Sequence, residues 1–454
     1  MNETTLDNKD NKSYLFSNRD LWQLIIPLII EQFLLIFVGL ADSIMVASVG
    51  EAAVSAVSLI DTIMVLIINL FTALATGGAI VAGQALGRRS QEDSCEAAEQ
   101  TLLFSALLSL AITAIMYGGK WFILNVVFGQ IEAEVMYNCD LYLMIVSASI
   151  PFLAVYNAGA AMFRAMGNSK TPMKMSLAMN SINLFGNAIL LYGLKWGIEG
   201  AAIPTLLSRV FAGLWMLFLI QRKKYTIHVR SLTGLKLKPK LMGKILHLGI
   251  PYALENSMFQ LGKIIVLSLV TSFGTASIAA NAVSNSIAMF AILGGMSINY
   301  ALSSVSARCV GANDFEQVRY YTRKLIKYDY IILLVSNVLV VLALPLIIFV
   351  YNLSPETSAM VREIIIMHSV CAIFIWPLSF TIPNTLRAAN DVTFCMAVSV
   401  VSMWIFRIGF SYILGQYAQL GVLGVWMAMI IDWAVRSLFF IARYRGTKWQ
   451  HLDE

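Results

Sequence analysis

The sequence predicts an all-α integral membrane protein with twelve transmembrane helices in two pseudo-symmetric six-helix bundles. Three observations lead to this fold class: an apolar composition, long apolar runs along the whole chain, and an internal repeat. Of the 454 residues, 58% are hydrophobic and 13% are charged, whereas soluble domains carry roughly 25% charged residues. A soluble fold of this length needs charged surfaces between its domains, and this sequence has too few charged residues to form them.

Long apolar runs separated by short polar breaks predict the individual helices. A hydrocarbon core about 30 Å thick needs roughly 20 apolar residues in helical form. The first such run begins at Leu21 and lacks a signal-peptide cleavage site, so we interpret it as a retained helix. The runs predict helices at 21–48, 54–82, 97–117, 134–163, 172–194, 198–221, 245–271, 278–306, 320–350, 359–386, 393–415 and 420–442.

The basic residues predict on which side of the membrane each loop lies. Lys and Arg prefer cytoplasmic loops. With the N-terminus inside, 26 of them fall on the cytoplasmic side and only Lys120, Lys195 and Arg362 on the other side. We therefore expect a multi-pass protein of the cell (plasma or inner) membrane with both termini in the cytoplasm. The net charge of +6 is carried by these short loops, so we expect a lipid bilayer around the chain, no nucleic-acid partner, and a monomer.

An internal repeat predicts the domain organisation. A shift that places Pro27 on Pro251 aligns the first half of the chain with the second, and each half holds six predicted helices. The same shift places Glu31 on Glu255 and Gly87 on Gly311. We predict an N-terminal lobe at 1–221, a cytoplasmic linker at 222–243 and a C-terminal lobe at 244–454. Two such lobes are typical of secondary transporters, whereas an ion channel more often gathers identical subunits around one pore.

Sequence motifs argue against an enzyme and against an ATP-driven pump. The sequence contains no phosphate-binding P-loop, no Gly-x-Ser-x-Gly elbow, no His-Glu-x-x-His and no dinucleotide fingerprint. The five cysteines and four histidines are scattered, so no metal site or disulfide framework is predicted. We expect no catalytic residue and no cofactor, and we expect transport to be driven by an ion gradient or by the gradient of the substrate.

The first candidate site is formed by one acid and three asparagines. Ionisable residues in membrane helices are costly and usually face the interior or a cavity. Asp42 lies about six residues from the outer end of the first helix, where it can hold Na⁺ or a proton. Asn180, Asn183 and Asn187 recur at spacings that place them on one helical face. Their amides can coordinate Na⁺ or hold Asp42 in place, and the alternative is hydrogen bonding that packs the helices together.

Two repeat-equivalent acids form a second candidate. Glu31 and Glu255 each lie four residues after a proline, at Pro27 and Pro251. The two acids either face each other across the inner mouth of a cavity and titrate there, or each pairs with a base inside its own lobe.

Further charged residues in the predicted helices are cavity or substrate candidates. These are Lys263, Arg407 and Asp432, and the alternative for them is structural charge pairing, including a local pair of Asp432 with Arg436 one turn away. Asp61 and Asp329 are nearer the predicted helix ends and are expected to be solvated.

Several of these residues occur in segments that resemble the multidrug and toxic compound extrusion (MATE) family over nearly the whole chain. The resemblance implies two six-helix bundles in a V and export of amphipathic, mostly cationic organic small molecules against inward Na⁺ or H⁺, with Asp42 as the coupling acid. The segments that carry it include Pro27…Asp42-Ser-Ile-Met-Val, Phe163-Arg-Ala-Met-Gly-Asn-Ser-Lys-Thr-Pro172, Gly249-Ile-Pro251 and Leu386-Arg-Ala-Ala-Asn-Asp391.

Two departures from the family pattern leave the coupling ion open between Na⁺ and H⁺. Some members have a second acid in helix five where this chain has Asn187, and others use acids in helices seven and ten where this chain has Phe259 and Trp376. The alternative function is a lipid-linked saccharide flippase of the related superfamily. Such flippases usually have fourteen helices and a strongly cationic cavity.

Overall fold

The computed structural model describes residues 14–129, 131–230 and 236–451. All the regular secondary structure in these residues is helical. The first half contains α1 (Asn18–Ala47), α2 (Glu51–Gly87), α3 (Gln91–Gly118), α4 (Ala133–Ser147), α5 (Ile150–Ala165), α6 (Lys170–Asn187) and α7 (Glu199–Ile220). The second half contains α8 (Pro239–Thr271), α9 (Thr275–Gly311), α10 (Phe315–Tyr351), α11 (Pro355–Ala388), α12 (Val392–Tyr417) and α13 (Gly421–Arg445).

Shorter helical segments join or interrupt these helices. α11 and α12 are continuous as spans, but each contains π-helical turns. Outside the named helices lie Lys120–Phe122, the π-helical Ile123–Val127 and Ala188–Gly193, and the 3₁₀-helical Lys448–Gln450. The π-helical turns within spans are Pro377–Thr381 in α11 and Met403–Gly409 and Ser411–Tyr417 in α12.

The lengths and composition of the described helices confirm the all-α membrane fold class. Ten helices are long and apolar enough to cross a membrane, and α4 with α5 forms an eleventh span that bends by 47°. The predicted helix 172–194 corresponds to α6 and the π-helical segment that follows it. Two lysines and three asparagines lower the hydropathy of α6, which is why apolar length alone does not identify it. Each of the twelve predicted helices thus has a counterpart.

Several helices extend beyond the apolar runs that predicted them. α2 ends at Gly87 rather than near 82, and α10 begins at Phe315 rather than near 320. Hydropathy marks only the apolar part of a helix, whereas capping side chains determine where it begins. At the start of α10, the Asp314 carboxylate accepts a hydrogen bond from the backbone N–H of Gln317 at 2.9 Å. At the start of α3, Ser90 caps Asp93 in the same way.

The contacts divide the chain into two compact units. The N-terminal unit is Ile26–Ala253, and the C-terminal unit combines the described residues up to Ile25 with those from Leu254 onward. Both divisions fall inside long helices, α1 and α8, close to Pro27 and Pro251. A proline inside a helix removes one backbone hydrogen bond, so these positions are natural division points.

The predicted lobes divide the chain elsewhere, at the linker 222–243. Residues 231–235 of that linker lie outside the described residues, as do the first thirteen residues and the last three. The lobe boundaries therefore stay a prediction.

In the N-terminal unit, a core of buried apolar side chains lies between α2 and α4, including the fully buried Ile60, Phe71 and Leu143. The first part of α8 packs directly on α2. A Cβ atom on Gly77 would lie 2.7 Å from the carbonyl oxygen of Ile245 and 3.0 Å from the backbone nitrogen of Gly249. Only glycine permits this approach, because any side chain would push the two backbones apart.

In the C-terminal unit, the residues before and at the start of α1 pack on α10. The Phe16 N–H donates to the Tyr321 hydroxyl, which donates to the Phe16 carbonyl, both at 2.8 Å. Trp22 stacks on Tyr328 with ring centroids 5.0 Å apart. Deeper in the unit, Leu333, Trp376 and Trp433 form a buried cluster.

Candidate functional site

Asp42 and Asn187 form the centre of the candidate site in the N-terminal unit. Asn187 is the last residue of α6, and its Nδ2 donates a hydrogen bond to Asp42 Oδ1 at 2.8 Å. The Asn187 side chain is only 1% exposed, and its Oδ1 accepts no hydrogen bond from the described residues. A buried amide oxygen without a donor needs an explanation. Amide and carboxylate oxygens side by side are the ligands that hard cations prefer.

Asn183 lies one turn before Asn187 and faces α7. Its Nδ2 donates to Thr205 Oγ1 at 3.0 Å, which places a hydroxyl oxygen close to the same face of α6. Asn180 behaves differently, because its Nδ2 donates to Ser176 Oγ at 3.3 Å within its own helix. The structure thus brings Asn183 and Asn187 to neighbouring helices, whereas Asn180 bonds locally. Sequence reasoning did not single out Thr205.

Two local features position these side chains. A Cβ atom on Gly186 would lie 2.7 Å from Pro204 Cβ, so α6 and α7 approach closely only because residue 186 is glycine. Thr205 follows Pro204 directly and therefore lies at this approach. Immediately after Asn187 the chain becomes π-helical, and π-helical turns occur frequently at functional sites.

Two further charges act on Asp42. Arg209, one turn after Thr205 on α7, attracts both Asp42 and Asp61 electrostatically and donates to Ser149 Oγ at 3.0 Å. Asp61 is exposed, as expected, but its charge repels that of Asp42. Two carboxylates and one guanidinium leave one net negative charge, which one monovalent cation can neutralise. Arg209 lies four residues after Thr205 on α7, so the sequence spacing places both residues on the same helical face.

Glu31 and Glu255 each pair with an arginine of their own repeat. Glu31 is 2% exposed, and its Oε1 lies 2.6 Å from Arg164 Nη2. Glu255 is 6% exposed, and both of its carboxylate oxygens lie 2.8 Å from Arg387 Nη2. Of the two arrangements that the sequence left open, pairing inside one lobe is the one that these contacts support.

Asp432 and Arg436 on α13 use different partners. Asp432 is fully buried; its Oδ1 accepts a hydrogen bond from Ser402 Oγ at 2.6 Å, while Oδ2 has no partner in the described chain. Arg436 donates from Nε and Nη2 to Ser379 Oγ at 3.3 and 3.2 Å. Its guanidinium also lies over the ring of Phe380, 4.4 Å from the centroid. The hypothesised local pair is therefore an attraction at longer range, and a serine and an aromatic ring hold Arg436.

Lys263 and Arg407 lie close enough to repel each other. Lys263 is exposed on α8, and Arg407 is half-buried in the π-helical part of α12. Arg407 is attracted by Asp432 and repelled by Arg436. Neither the Lys263 nor the Arg407 side chain makes an ion pair or a hydrogen bond within the described residues.

Asp329 is a correction to the sequence analysis, because it is fully buried rather than solvated. Its Oδ2 accepts a hydrogen bond from Thr381 Oγ1 at 2.5 Å, and its Oδ1 has no partner in the described part of the chain. The reason is the earlier start of α10 at Phe315. The longer helix places Asp329 about four turns from its beginning, inside the C-terminal unit.

A protein-family model described as MatE matches this chain twice, at residues 27–189 and 251–413. The starts and the ends of the two matches are separated by the same offset, which is the shift that places Pro27 on Pro251 in the predicted repeat. Together the matches span well over half of the chain. The chain belongs to the MATE family. MATE proteins are transporters and not enzymes, so the chain is a multi-pass membrane transporter.

Relatives of known sequence cover nearly the whole chain. It is 27% identical over 436 residues to the uncharacterized transporter YisQ of Bacillus subtilis, covering 94% of each chain. It is also 27% identical over 414 residues to the probable multidrug resistance protein YoeA of that bacterium, covering 88% of this chain and 87% of YoeA.

Among solved structures, the chain is similar to a multidrug resistance MATE family transporter of the MOP superfamily in an outward-facing conformation. The TM-score is 0.88 at 21% identity, covering 94% of each chain. At this identity the likeness shows the MATE fold, which has twelve transmembrane helices.

Proposed function

We propose that this MATE transporter exports amphipathic, mostly cationic organic compounds from the cell in exchange for entering Na⁺ or H⁺. Asp42 is the coupling acid, the transporter is located in the cell membrane, and both termini lie in the cytoplasm. The relatives named as probable multidrug resistance proteins, such as YoeA, support the substrate class. The use of an ion gradient is consistent with a chain that contains no nucleotide-binding motif.

The contact between Asn187 and Asp42 carries the proposal. A structural role alone would be fulfilled by the single hydrogen bond from Asn187 Nδ2 to Asp42. It does not account for the buried Asn187 Oδ1, which lacks a donor among the described residues. A bound Na⁺ accounts for it, because the amide oxygen, the carboxylate and the nearby Thr205 hydroxyl together offer oxygen ligands.

The charges of the site favour coupling to one monovalent cation per cycle. Asp42, Asp61 and Arg209 together carry one net negative charge, and Asn187 cannot take up a proton. A proton on Asp42 removes the anionic ligand that Na⁺ needs, so Na⁺ and H⁺ compete for the same carboxylate. Lower pH therefore weakens Na⁺ binding, and a high Na⁺ concentration suppresses protonation of Asp42.

Dye efflux from proteoliposomes tests this proposal. An inward Na⁺ gradient at equal pH, or an inward H⁺ gradient without Na⁺, is applied to the wild type and to Asp42→Asn. We expect the Asn variant to fall to the rate of protein-free liposomes under both gradients, because the amide binds neither a proton nor Na⁺ with the strength of a carboxylate.

Asp140→Asn is the matched control for this experiment. Asp140 lies near the surface on α4, 2.7 Å from Lys120, and its replacement is expected to leave efflux unchanged. Efflux at the wild-type rate by a correctly folded Asp42→Asn variant contradicts the assignment of Asp42 as coupling acid.

A further inference from the structure

The C-terminal unit contains two cations that its own residues leave without a partner. Lys263 on α8 and Arg407 on α12 are both within membrane-spanning helices. Within the described residues neither side chain has an ion pair or a hydrogen bond. The two helices are in contact beside these cations, because a Cβ atom on Gly262 would clash with the Met403 side chain and lie 3.4 Å from Ile408 Cδ1. The charges of Lys263 and Arg407 repel each other. Charged side chains inside a membrane protein usually pair or line a pathway. Two such cations on contacting helices are therefore candidates for binding an anion.

The nearby acid does not fill this role. Asp432 attracts Arg407 and also attracts Arg436. Arg436 is also attracted by Glu255, whereas among the described residues the charge that acts on Lys263 is the like charge of Arg407. Asp432 is moreover fully buried and already accepts a hydrogen bond from Ser402.

Arg436 is distinguished from the other two cations by its contacts. It is 1% exposed, donates to Ser379, and lies over the rings of Phe380 and Phe259 at 4.4 and 5.1 Å. These contacts explain Arg436 as a structural residue. Lys263 is exposed and Arg407 is half-buried, so these two cations can be reached from outside the unit.

The surroundings of the pair favour an amphipathic ligand. Trp404 lies one turn before Arg407 and is 44% exposed, and Leu267 lies one turn after Lys263 and is 47% exposed. Apolar surface thus flanks the two cations on the same helical faces. An arginine binds a carboxylate through two parallel hydrogen bonds, and a lysine adds a compact positive charge beside it.

We propose that Lys263 and Arg407 form a carboxylate-binding site, and that this transporter favours amphipathic substrates that carry a carboxylate in addition to a cationic group. The proposal rests on the proposed efflux function for its biological meaning, but the site binds its ligand without transport. The binding experiment can therefore contradict the carboxylate site without contradicting efflux, and the efflux experiment can contradict the proposed function without contradicting the site.

A matched pair of dyes tests the site by equilibrium binding. The probes are a rhodamine dye with a free carboxylate and the methyl ester of the same dye, which keep the same aromatic cation. The protein is held in nanodiscs of zwitterionic lipid, and binding is followed by fluorescence anisotropy. We expect the wild type to bind the carboxylate dye more tightly than the ester. Lys263→Gln and Arg407→Gln should each weaken binding of the carboxylate dye about tenfold or more, since each removes a charged partner.

Three comparisons make the test specific. Binding of the ester should change less than about twofold in the Gln variants, a difference smaller than a lost charged contact produces. Lys263→Arg should keep binding of the carboxylate dye because it keeps the charge. Arg362→Gln removes an exposed basic residue elsewhere in the C-terminal unit and should change neither dye.

Several results would overturn the proposal. It fails if the wild type binds the two dyes equally or binds neither, and it fails if the Gln variants weaken both dyes alike. Nanodiscs that contain anionic lipid provide a further arm. If anionic lipid abolishes binding of the carboxylate dye, the site belongs to a lipid phosphate and not to a substrate. If ion-driven efflux fails while the dye pattern holds, the carboxylate site stands and the proposed function fails.

Discussion

The two repeats of this transporter differ at the residues that form the candidate cation site of the N-terminal unit. Under the constant offset that separates the two family matches, each polar residue of that site has a counterpart of different chemistry. The pairs are Asp42 with Val266, Asn183 with Arg407, Asn187 with Ser411, and Thr205 with Met429. In the N-terminal unit Asp42 and Asp61 both attract Arg209. In the C-terminal unit Arg407 and Arg436 share the attraction of Asp432, and Lys263 repels Arg407.

The same repeats agree at the positions that hold each unit together. Each has a proline close to the division of a long helix, at Pro27 and Pro251. Each also has a buried glutamate paired with an arginine of its own repeat. The duplicated chain has thus kept this ion pair, whereas the residues of the candidate cation site differ between the repeats. Opposite charges in the two units allow one unit to bind the coupling ion and the other to bind an anionic group of the substrate.

Removal of one partner from a repeated ion pair should have the largest effect on stability. Glu31→Gln and Glu255→Gln remove the buried carboxylate charge that faces the half-buried Arg164 and the buried Arg387, and breaking a buried pair in this way costs about 3–5 kcal/mol. We expect Glu255→Gln to be the more damaging, because both oxygens of Glu255 contact Arg387 whereas one oxygen of Glu31 contacts Arg164. Denaturant unfolding in detergent measures the free energies of unfolding. A loss below about 1 kcal/mol for both variants, the range of exposed pairs, would show that the pairs are not structural.

Replacement of Asn187 should affect the cation site next most strongly. Asn187→Leu removes the amide oxygen and is expected to weaken Na⁺ binding about tenfold. Asn187→Asp adds a further titratable group next to Asp42, strengthens cation binding and shifts the pH dependence of efflux. The measurement is efflux against pH at fixed Na⁺ concentration. If the curves of the wild type and both variants superimpose, Asn187 serves helix packing only and Asp42 acts with other partners.

A tighter contact between α6 and α7 should have a moderate effect on stability and on Na⁺ binding. Gly186→Ala places a methyl group against Pro204, and overpacking of this kind costs about 1–3 kcal/mol. The displaced helix moves Asn183 away from Thr205, so Na⁺ binding should weaken together with stability. Gly39→Ala on α1 is the control, because its Cβ would meet no atom within 4 Å. If Gly186→Ala and Gly39→Ala change stability and Na⁺ binding equally, the close approach of α6 and α7 does not position the cation site.

Lys263→Met should have the smallest effect on the free energy of unfolding, and it should stabilise the protein. A charged residue at the centre of a membrane helix costs about 2.5–3.5 kcal/mol on insertion scales. An exposed lysine recovers part of that cost, so we expect a gain of about 1 kcal/mol in the free energy of unfolding. A loss of stability would show that Lys263 has a structural partner and would weaken its assignment as a binding residue.

Much of the fold could be predicted from the sequence, because hydropathy and the repeat both act over long segments. Each of the twelve predicted helices has a counterpart in the structure, and the family model matches the chain twice at the offset of the predicted repeat. The pairing of Glu31 with Arg164 could only be left as one of two alternatives, because local sequence does not determine which residues of different helices are in contact. The division of α1 and α8 between the two units was not predicted either, since a proline weakens a helix without showing what each part contacts.

The candidate site was predictable only in part. The spacing of Asn183 and Asn187 indicated one helical face, and both residues do contact neighbouring helices. The same spacing includes Asn180, which bonds to Ser176 instead, because periodicity identifies a face and not a partner. Asp329 was placed too near a helix end, since the polar start of α10 does not appear in hydropathy.

The central claim, that the two units bind opposite charges independently, is tested most directly by measuring two ligands on two variants. Na⁺ binding by calorimetry and carboxylate-dye binding by fluorescence anisotropy are compared in Asp42→Asn and in the double variant Lys263→Gln with Arg407→Gln. We expect Asp42→Asn to lose Na⁺ binding and keep dye binding, and we expect the double variant to lose dye binding and keep Na⁺ binding. Loss of both ligands in either variant, with the fold intact, would contradict the central claim.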